Sequence, residues 1–201
     1  MINVPKYNKE DRKTGSFEQL PKGAYVCKIL NVEEQTSKKG HPMVVVSFDI
    51  AEGEYKDFYM KQFKEDTSED KHWNYDAVTY LIIPYDGCEA FTKTNWATFW
   101  ANVEDSNNGY VFDGNEETVK GKVFGGVFRI VQTKDNNGNI YDHTRLAWSK
   151  IAQDIRDGKT GKLPNDKLVE VAAPASADPS GFINIVPDAE EDLPFGKKSK
   201  K

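Results

Sequence analysis

The sequence predicts a mainly β fold with one helix, and three observations support this class. Two runs at 24–32 and 43–50 are rich in β-branched and aromatic residues, the composition of strands. Within the second run, apolar and polar residues alternate, as in a strand with one buried face. Two later runs, at 122–133 and 140–148, flank an Asn-Asn-Gly-Asn segment that is typical of a β-hairpin turn.

The first three strands are expected to follow one another between residues 23 and 63. Alternation in the second strand defines one apolar face, made of Val44, Val46, Phe48 and Ile50. A third strand is predicted at 55–63, joined to the second by a short turn at 52–54. The second and third strands should therefore form a hairpin.

One helix is predicted near 89–103, between the third and fourth strands. Apolar residues recur there at helical spacing, namely Trp96, Phe99, Trp100 and Val103. The Asn-Asn-Gly segment at 107–109 is suited to ending this helix. The resulting order, strand-strand-strand-helix-strand-strand, is that of a five-stranded OB-fold barrel.

The barrel is expected to occupy 23–163, preceded by a flexible N-terminal arm at 1–22. Residues 64–118 form an acidic insertion that contains the helix, and 164–201 are predicted to be a disordered tail with an acidic tip at 188–195. The two cysteines and three histidines are dispersed, so we expect no metal site and no cofactor. The chain has no long apolar run and no signal-peptide core, so a soluble, intracellular protein without membrane contact is expected.

The formal net charge of −5 conceals an uneven distribution. Residues 1–64 carry +2 and residues 118–163 carry +5, whereas residues 65–117 carry −10 and the tail carries −2. The predicted barrel strands therefore carry a net positive charge, and the net negative charge is confined to the insertion and the tail. Affinity for nucleic acid depends on local neutralisation of phosphates, so this pattern favours a single-strand binder despite the net charge.

Candidate nucleic-acid-binding residues follow from the faces and loops that OB folds use for ligands. The loops between strands one and two and between strands four and five contribute Lys38, Lys39 and Lys134. On the predicted third strand we favour Tyr59, Lys61 and Phe63 as the outward face, because aromatic residues alternate there with a cation. Further phosphate contacts are expected from Arg129, Arg145 and Lys150.

Two other classes of function stay open on the residues alone. Asp49, Glu52, Glu54 and Lys56 surround the predicted turn after strand two, and Glu54-Tyr55-Lys56 resembles half of a metal-dependent nuclease site. A charged hairpin tip explains these residues better, so we expect a non-enzymatic protein. The remaining alternative is a protein-interaction module that binds a phage or host protein through the acidic insertion.

The tail tip resembles the acidic C-terminal tip of bacterial single-stranded DNA-binding proteins. The resemblance implies recruitment of replication and recombination proteins, with charge from Asp188, Glu190, Glu191 and Asp192 and an apolar anchor from Leu193, Pro194 and Phe195. In that family the phenylalanine is the last residue, whereas six residues, four of them lysines, follow Phe195 here.

A second resemblance covers about residues 20–165. The segments 20–25, 36–43, 52–56, 104–110, 120–122 and 154–159 are similar to OB-fold proteins encoded by phages of Gram-positive bacteria. Some members of that group are described as single-stranded DNA-binding proteins. The resemblance implies single-stranded DNA binding in phage replication and recombination. Together with the charge pattern, it leads us to expect largely sequence-independent binding in the cytoplasm of the host cell, and a homo-oligomer stays open.

Overall fold

A computed structural model describes residues 18–69 and 71–169. Five antiparallel strands form one sheet in the order β3-β2-β1-β4-β5, so β3 and β5 are its edges. The strands are Ala24–Thr36 (β1), Pro42–Ile50 (β2), Val78–Ile82 (β3), Val123–Lys134 (β4) and Ile140–Lys150 (β5). The helices are Phe58–Glu65 (α1), Ala90–Ser106 (α2), Glu116–Val119 (α3) and Ala152–Arg156 (α4), and a 3₁₀ turn, Tyr75–Ala77, leads into β3. The predicted mainly β class is confirmed, and residues 18–69 and 71–169 contain three short helices in addition to the predicted one.

The core lies between one face of the sheet and α2. The predicted apolar face of β2 is buried, and the Phe48 ring contacts those of Phe124 and Phe128 edge-on, with centroids 5.7 and 5.9 Å away. From α2, Phe99, Trp100 and Val103 are buried against this cluster. Each such side chain contributes about 1.5–3 kcal/mol through removal of apolar surface from water. The predicted helix and its apolar stripe are confirmed.

Asn107 ends α2 and ties it to β4. Its side-chain amide nitrogen donates to the carbonyls of Val103 and Val123, at 2.7 and 2.8 Å, and its amide oxygen accepts from the N–H of Val123 at 3.1 Å. One side chain therefore satisfies a free carbonyl at the end of the helix and aligns the start of β4.

The hairpin of β4 and β5 turns at the predicted position. Asp135 and Asn139 face each other across the turn, with a 3.0 Å backbone hydrogen bond from Asp135 N–H to the Asn139 carbonyl. Gly138 has a φ of +89°, a left-handed conformation that costs glycine little.

The predicted third strand at 55–63 is wrong, and so is the predicted hairpin through 52–54. Most of this segment is α1, and the third strand is formed by Val78–Ile82. The cause is Asp49, whose buried carboxylate accepts hydrogen bonds from the backbone N–H groups of Tyr59 and Met60, both at 3.0 Å. Those N–H groups lie in the first turn of a helix, where no intrahelical partner exists. A residue ten positions upstream therefore caps α1, which alternation within the segment does not reveal.

The described chain extends beyond both predicted limits of the barrel. Leu20, placed in the arm by the sequence analysis, is buried, and its carbonyl accepts a hydrogen bond from the Thr144 hydroxyl. At the other end, Lys167 exchanges backbone hydrogen bonds with Ile130 and Gln132 at 2.9 and 2.8 Å, so the chain continues along the part of β4 that does not pair with β1. The acidic tip at 188–195 lies outside the described residues. No helix in the described ranges is long and apolar enough to cross a membrane.

Candidate nucleic-acid interface

A groove of about 430 Å³ runs along the face of β2 and β3 that points away from the core. Met43 pairs with Ile82 and Val45 with Tyr80, so these residues share that face, while Val44 and Leu81 point into the core. The groove has an apolar floor, a basic rim and aromatic walls. Its lining consists of Ser37, Lys38, Lys39, His41, Met43, Tyr80, Ile82, Tyr85, Glu89 and Thr92.

The basic rim comes from the turn between β1 and β2, which local hydrogen bonds hold in shape. The Ser37 N–H donates to the His41 carbonyl at 2.8 Å, and the Ser37 hydroxyl accepts from the His41 N–H at 3.0 Å. Gly40 completes the turn with a φ of +82°. Lys38 and Lys39, both predicted nucleic-acid contacts, are exposed within this turn and line the groove.

His41 and Tyr85 form the aromatic wall beside this rim. Their rings stack with centroids 4.4 Å apart and planes within 9° of parallel, and the Tyr85 hydroxyl lies 3.3 Å from His41 Nε2. The Tyr85 side chain is still 38% exposed. A flat, partly exposed ring beside two lysines is the combination that stacks a base while the cations contact its phosphates.

Tyr80 lies on the edge strand β3, opposite Val45 of β2, and lines the same groove. Burial raises the pKa of its phenol, and the Tyr75 phenol raises it further, whereas Arg145 opposes the shift.

Arg145 belongs to a polar cluster that joins β5 to the turn before β3. The Asp76 carboxylate accepts from Arg145 Nε at 3.2 Å, and His143 Nδ1 lies 3.2 Å from both Asp76 oxygens. His143 Nε2 lies in turn 2.9 Å from the Thr133 hydroxyl. Arg129, also a predicted contact, pairs directly opposite Arg145, and its Nε is buried with no hydrogen-bond partner among the described residues. Two like charges directly opposite each other on neighbouring strands destabilise the sheet. Here the Asp76 carboxylate offsets the charge of Arg145.

The other predicted contacts lie elsewhere. Tyr59 is buried, whereas Lys61 is exposed and Phe63 half-buried, all on α1 rather than on an outer strand face. Lys134 is exposed at the far end of β4, and Lys150 donates to the Lys159 carbonyl at 3.2 Å. The structure therefore brings Lys38 and Lys39 into one groove with Tyr80, whereas Arg145 and Arg129 lie opposite each other on β5 and β4, outside the residues that line the groove.

Sequence reasoning missed the aromatic side chains of the groove. Tyr80 lies in a Val-Thr-Tyr-Leu-Ile run that has strand composition but falls within the segment assigned to the acidic insertion. Recognising that run as the third strand would have identified Tyr80 and Ile82. His41 and Tyr85 are 44 residues apart in the chain, and no local pattern indicates that they stack.

Two of the three carboxylates of the nuclease alternative, Asp49 and Glu52, are engaged in other contacts. Both oxygens of Asp49 accept backbone N–H groups, and Glu52 forms a salt bridge with Arg156 at 2.7 Å. Among the described residues, no group of three or more His, Cys, Asp or Glu side chains could hold a metal ion. Cys27 and Cys88 are both free, and burial raises the pKa of the Cys27 thiol.

Comparison with known proteins gives a partial match to a family without a defined activity. The model of a family described as "Protein of unknown function (DUF669)" matches residues 6–97. The matched stretch includes β1, β2, α1 and β3, and therefore both strands that form the groove. A search of curated proteins finds no match.

Proposed function

We propose that this protein binds single-stranded DNA without catalysis and with little sequence preference, through an OB-type barrel. The order of strands supports this fold, because β1 lies between β2 and β4 and the long helix α2 follows β3. An OB fold is a five-stranded and partly open barrel. Asp76, His143 and Arg145, which we call the Asp76 cluster, link the turn before β3 to β5 through their side chains. In such a barrel, β3 and β5 are the two edge strands that would meet to close the sheet.

The groove on β2 and β3 is the observation that carries the proposal. OB folds bind oligonucleotides on this face and with the loop between the first two strands. Here the face and the loop supply the three features needed for sequence-tolerant binding: aromatic rings, an apolar floor and lysines. Stacking on aromatic rings contributes about 1–3 kcal/mol per base and accepts every base, since each has a π face.

The charge distribution supports the same proposal. The groove rim carries Lys38 and Lys39, so a DNA strand on the groove floor would have two cations beside its phosphates. Glu89 is the acidic residue that lines the groove. By resemblance, we further propose a role in phage DNA replication or recombination in the host cell, with partners recruited by residues 188–195.

The test is a titration of fluorescently labelled oligothymidylate at low and moderate salt, followed by polarisation. Wild type should bind, and its affinity should fall with salt. Tyr85→Ala should cost about 1–3 kcal/mol of binding free energy, because a stacking surface is removed. The matched control is Phe91→Ala, since Phe91 is 74% exposed on α2 and does not line the groove.

Two results would count against the proposal. The first is a wild-type protein that binds no oligonucleotide at low salt, which would favour the protein-interaction module instead. The second is equal loss of affinity in Tyr85→Ala and Phe91→Ala, which would place the binding surface elsewhere. Urea denaturation of each variant separates loss of binding from loss of folding.

A further inference from the structure

His41 gives the groove a residue whose charge can change near neutral pH. All three histidines of the chain lie within the described ranges, and of these His41 alone lines the groove. His72 lies in the segment before β3, and His143 lies on β5 against Asp76. Histidine is the side chain that ordinarily gains a positive charge as the pH falls from about 8 to about 5. The charge that the groove presents to a ligand therefore depends on His41 in this range.

Contacts on both sides of the residue hold the His41 ring in place. Its backbone N–H donates to the Ser37 hydroxyl at 3.0 Å, which fixes the end of the β1–β2 turn. Its ring stacks on Tyr85 with centroids 4.4 Å apart, and Nε2 lies 3.3 Å from the Tyr85 hydroxyl. The ring is therefore held at the groove by contacts from two separate segments of the chain.

The Tyr85 contact suits both charge states of the imidazole. A hydroxyl can donate to Nε2 of the neutral ring, and it can accept from the N–H of the charged ring. A cation that lies over the face of a tyrosine is also attracted by its π electrons. His41 can therefore gain a proton without leaving its stacked position on Tyr85.

Charged groups reach this part of the sheet from three elements. Lys38 and Lys39 belong to the same turn as His41, and Glu89 lines the groove from the start of α2. On β1, Glu33 lies on the same face of the sheet as the groove floor. These two lysines and two carboxylates balance one another in charge. A bound strand adds phosphates to this balance, and each phosphate is an anion that favours a charged neighbour of opposite sign.

We propose that His41 takes up a proton when a single strand enters the groove and then contacts a phosphate as the third cation of the β1–β2 turn, after Lys38 and Lys39. The inference rests on the proposed function, since the phosphates come from the bound strand. It adds a regulation to that site. Because coupling between two ligands is reciprocal, a strand that favours the proton is itself bound more tightly when the proton is present.

The test is a set of polarisation titrations of labelled oligothymidylate at pH 7.5 and pH 5.5, each at several salt concentrations. Thymine is used because it does not gain a proton in this range. Wild type should bind about three- to fivefold more tightly at pH 5.5, the change that one surface ion pair supplies. The slope of log K against log salt should be steeper at pH 5.5 by about 0.7, because one more phosphate is neutralised.

Two variants of His41 separate its charge from its stacking. His41→Phe keeps a flat ring beside Tyr85 but cannot be charged, so its affinity and its salt slope should be the same at both pH values. His41→Lys is charged at both pH values, so it should also lose the pH dependence, with the steeper slope throughout. A purely structural role of His41 would not produce opposite constant slopes in these two variants.

His72→Phe is the matched control, because His72 also contacts a tyrosine ring, that of Tyr75 at 4.9 Å, but does not line the groove. It should keep the pH dependence of wild type. Urea denaturation at both pH values establishes that each variant is folded.

The outcomes separate this inference from the proposed function. If wild type binds with the same affinity and slope at both pH values, the proton site is overturned and the proposed function stands. The same holds if His41→Phe keeps the wild-type difference or if His72→Phe loses it equally. If wild type binds no oligonucleotide at either pH, the proposed function and the proton site fail together.

Discussion

The Asp49 carboxylate accepts a hydrogen bond from the backbone N–H of Tyr59, 3.0 Å away and ten residues further along the chain. The same buried carboxylate accepts a second hydrogen bond from the Met60 N–H and a third from the Ile50 N–H, so both of its oxygens are hydrogen-bonded. The contact turns the chain from β2 into α1 and so determines which residues follow the second strand. It also places Tyr59 in the hydrophobic core rather than on the outer face of a strand.

Replacing Asp49 should therefore destabilise the protein strongly. Asp49→Ala leaves three N–H groups without their acceptor, and we expect a loss of about 2–4 kcal/mol in the free energy of unfolding. Asp49→Asn keeps one acceptor oxygen and should lose less. Urea denaturation measures both, with Glu54→Ala, an exposed acid in the same loop, as the control. Equal stability of Asp49→Ala and wild type would contradict the proposed capping role.

The Tyr59 hydroxyl allows a prediction of the opposite sign. Tyr59→Phe removes a buried hydroxyl that has no partner among the described residues, so the free energy of unfolding should rise or stay within about 1 kcal/mol of wild type. The control is Tyr25→Phe, because the Tyr25 hydroxyl donates to the Pro21 carbonyl at 2.8 Å. That variant should lose about 0.5–1.5 kcal/mol. A larger loss in Tyr59→Phe than in Tyr25→Phe would mean that the Tyr59 hydroxyl is paired.

Asp76 should matter for the link between β5 and the turn before β3. Asp76→Asn removes the negative charge that lies against both His143 and Arg145, so we expect a loss of about 1–3 kcal/mol in unfolding free energy. The matched control is Asp142→Asn, since Asp142 is an exposed acid of β5 bonded to Gln132. It should change stability by less than about 0.5 kcal/mol. Similar losses in the two variants would argue against a special role for the Asp76 cluster.

The Glu52–Arg156 salt bridge predicts a pH dependence with a defined sign. The hydrogen bond from Arg156 lowers the pKa of Glu52, so the folded protein keeps this carboxylate ionised at lower pH than the unfolded chain does. The stabilisation is thus present above the unfolded-state pKa and is lost as the pH falls through the folded-state pKa. Because Glu52 is 45% exposed, the contribution at neutral pH should be only about 0.5 kcal/mol.

A double-mutant cycle of Glu52→Gln and Arg156→Gln, run at neutral pH and at about pH 3, measures this coupling. The coupling energy should be present at neutral pH and reduced in acid. Glu54→Gln paired with Arg156→Gln serves as the control and should show none. A coupling that grows in acid would reverse the expected sign.

Lys38 and Lys39 should control the salt dependence of DNA binding. Replacing both with alanine removes two phosphate contacts, so the slope of log K against log salt should become shallower by about 1.4 for single-stranded DNA. Lys56→Ala is the control, since Lys56 is exposed and does not line the groove. Titrations at several salt concentrations give the slope directly. An unchanged slope in the double variant would show that these lysines do not contact phosphates.

Much of the fold could be predicted from local patterns. Alternation identified the buried face of β2, helical spacing identified the buried residues of α2, and the Asn-Gly turn identified the hairpin of β4 and β5. Each of these signals lies within a few residues and reflects the period of one element. The third strand was misplaced because the helix at 58–65 depends on Asp49, a contact that no short window contains.

The sequence by itself determined the mainly β class, two of the lysines that line the groove and the separation of basic strands from an acidic segment. Only the tertiary structure decided which aromatic side chains accompany those lysines. Tyr80, Tyr85 and His41 meet because β2 pairs with β3 and the β1–β2 turn folds over the same face. The sequence specifies the type of each residue. Whether a side chain stacks or is buried depends on how the strands pair and on side chains distant in sequence. The same reason moved Tyr59 from a predicted surface into the hydrophobic core.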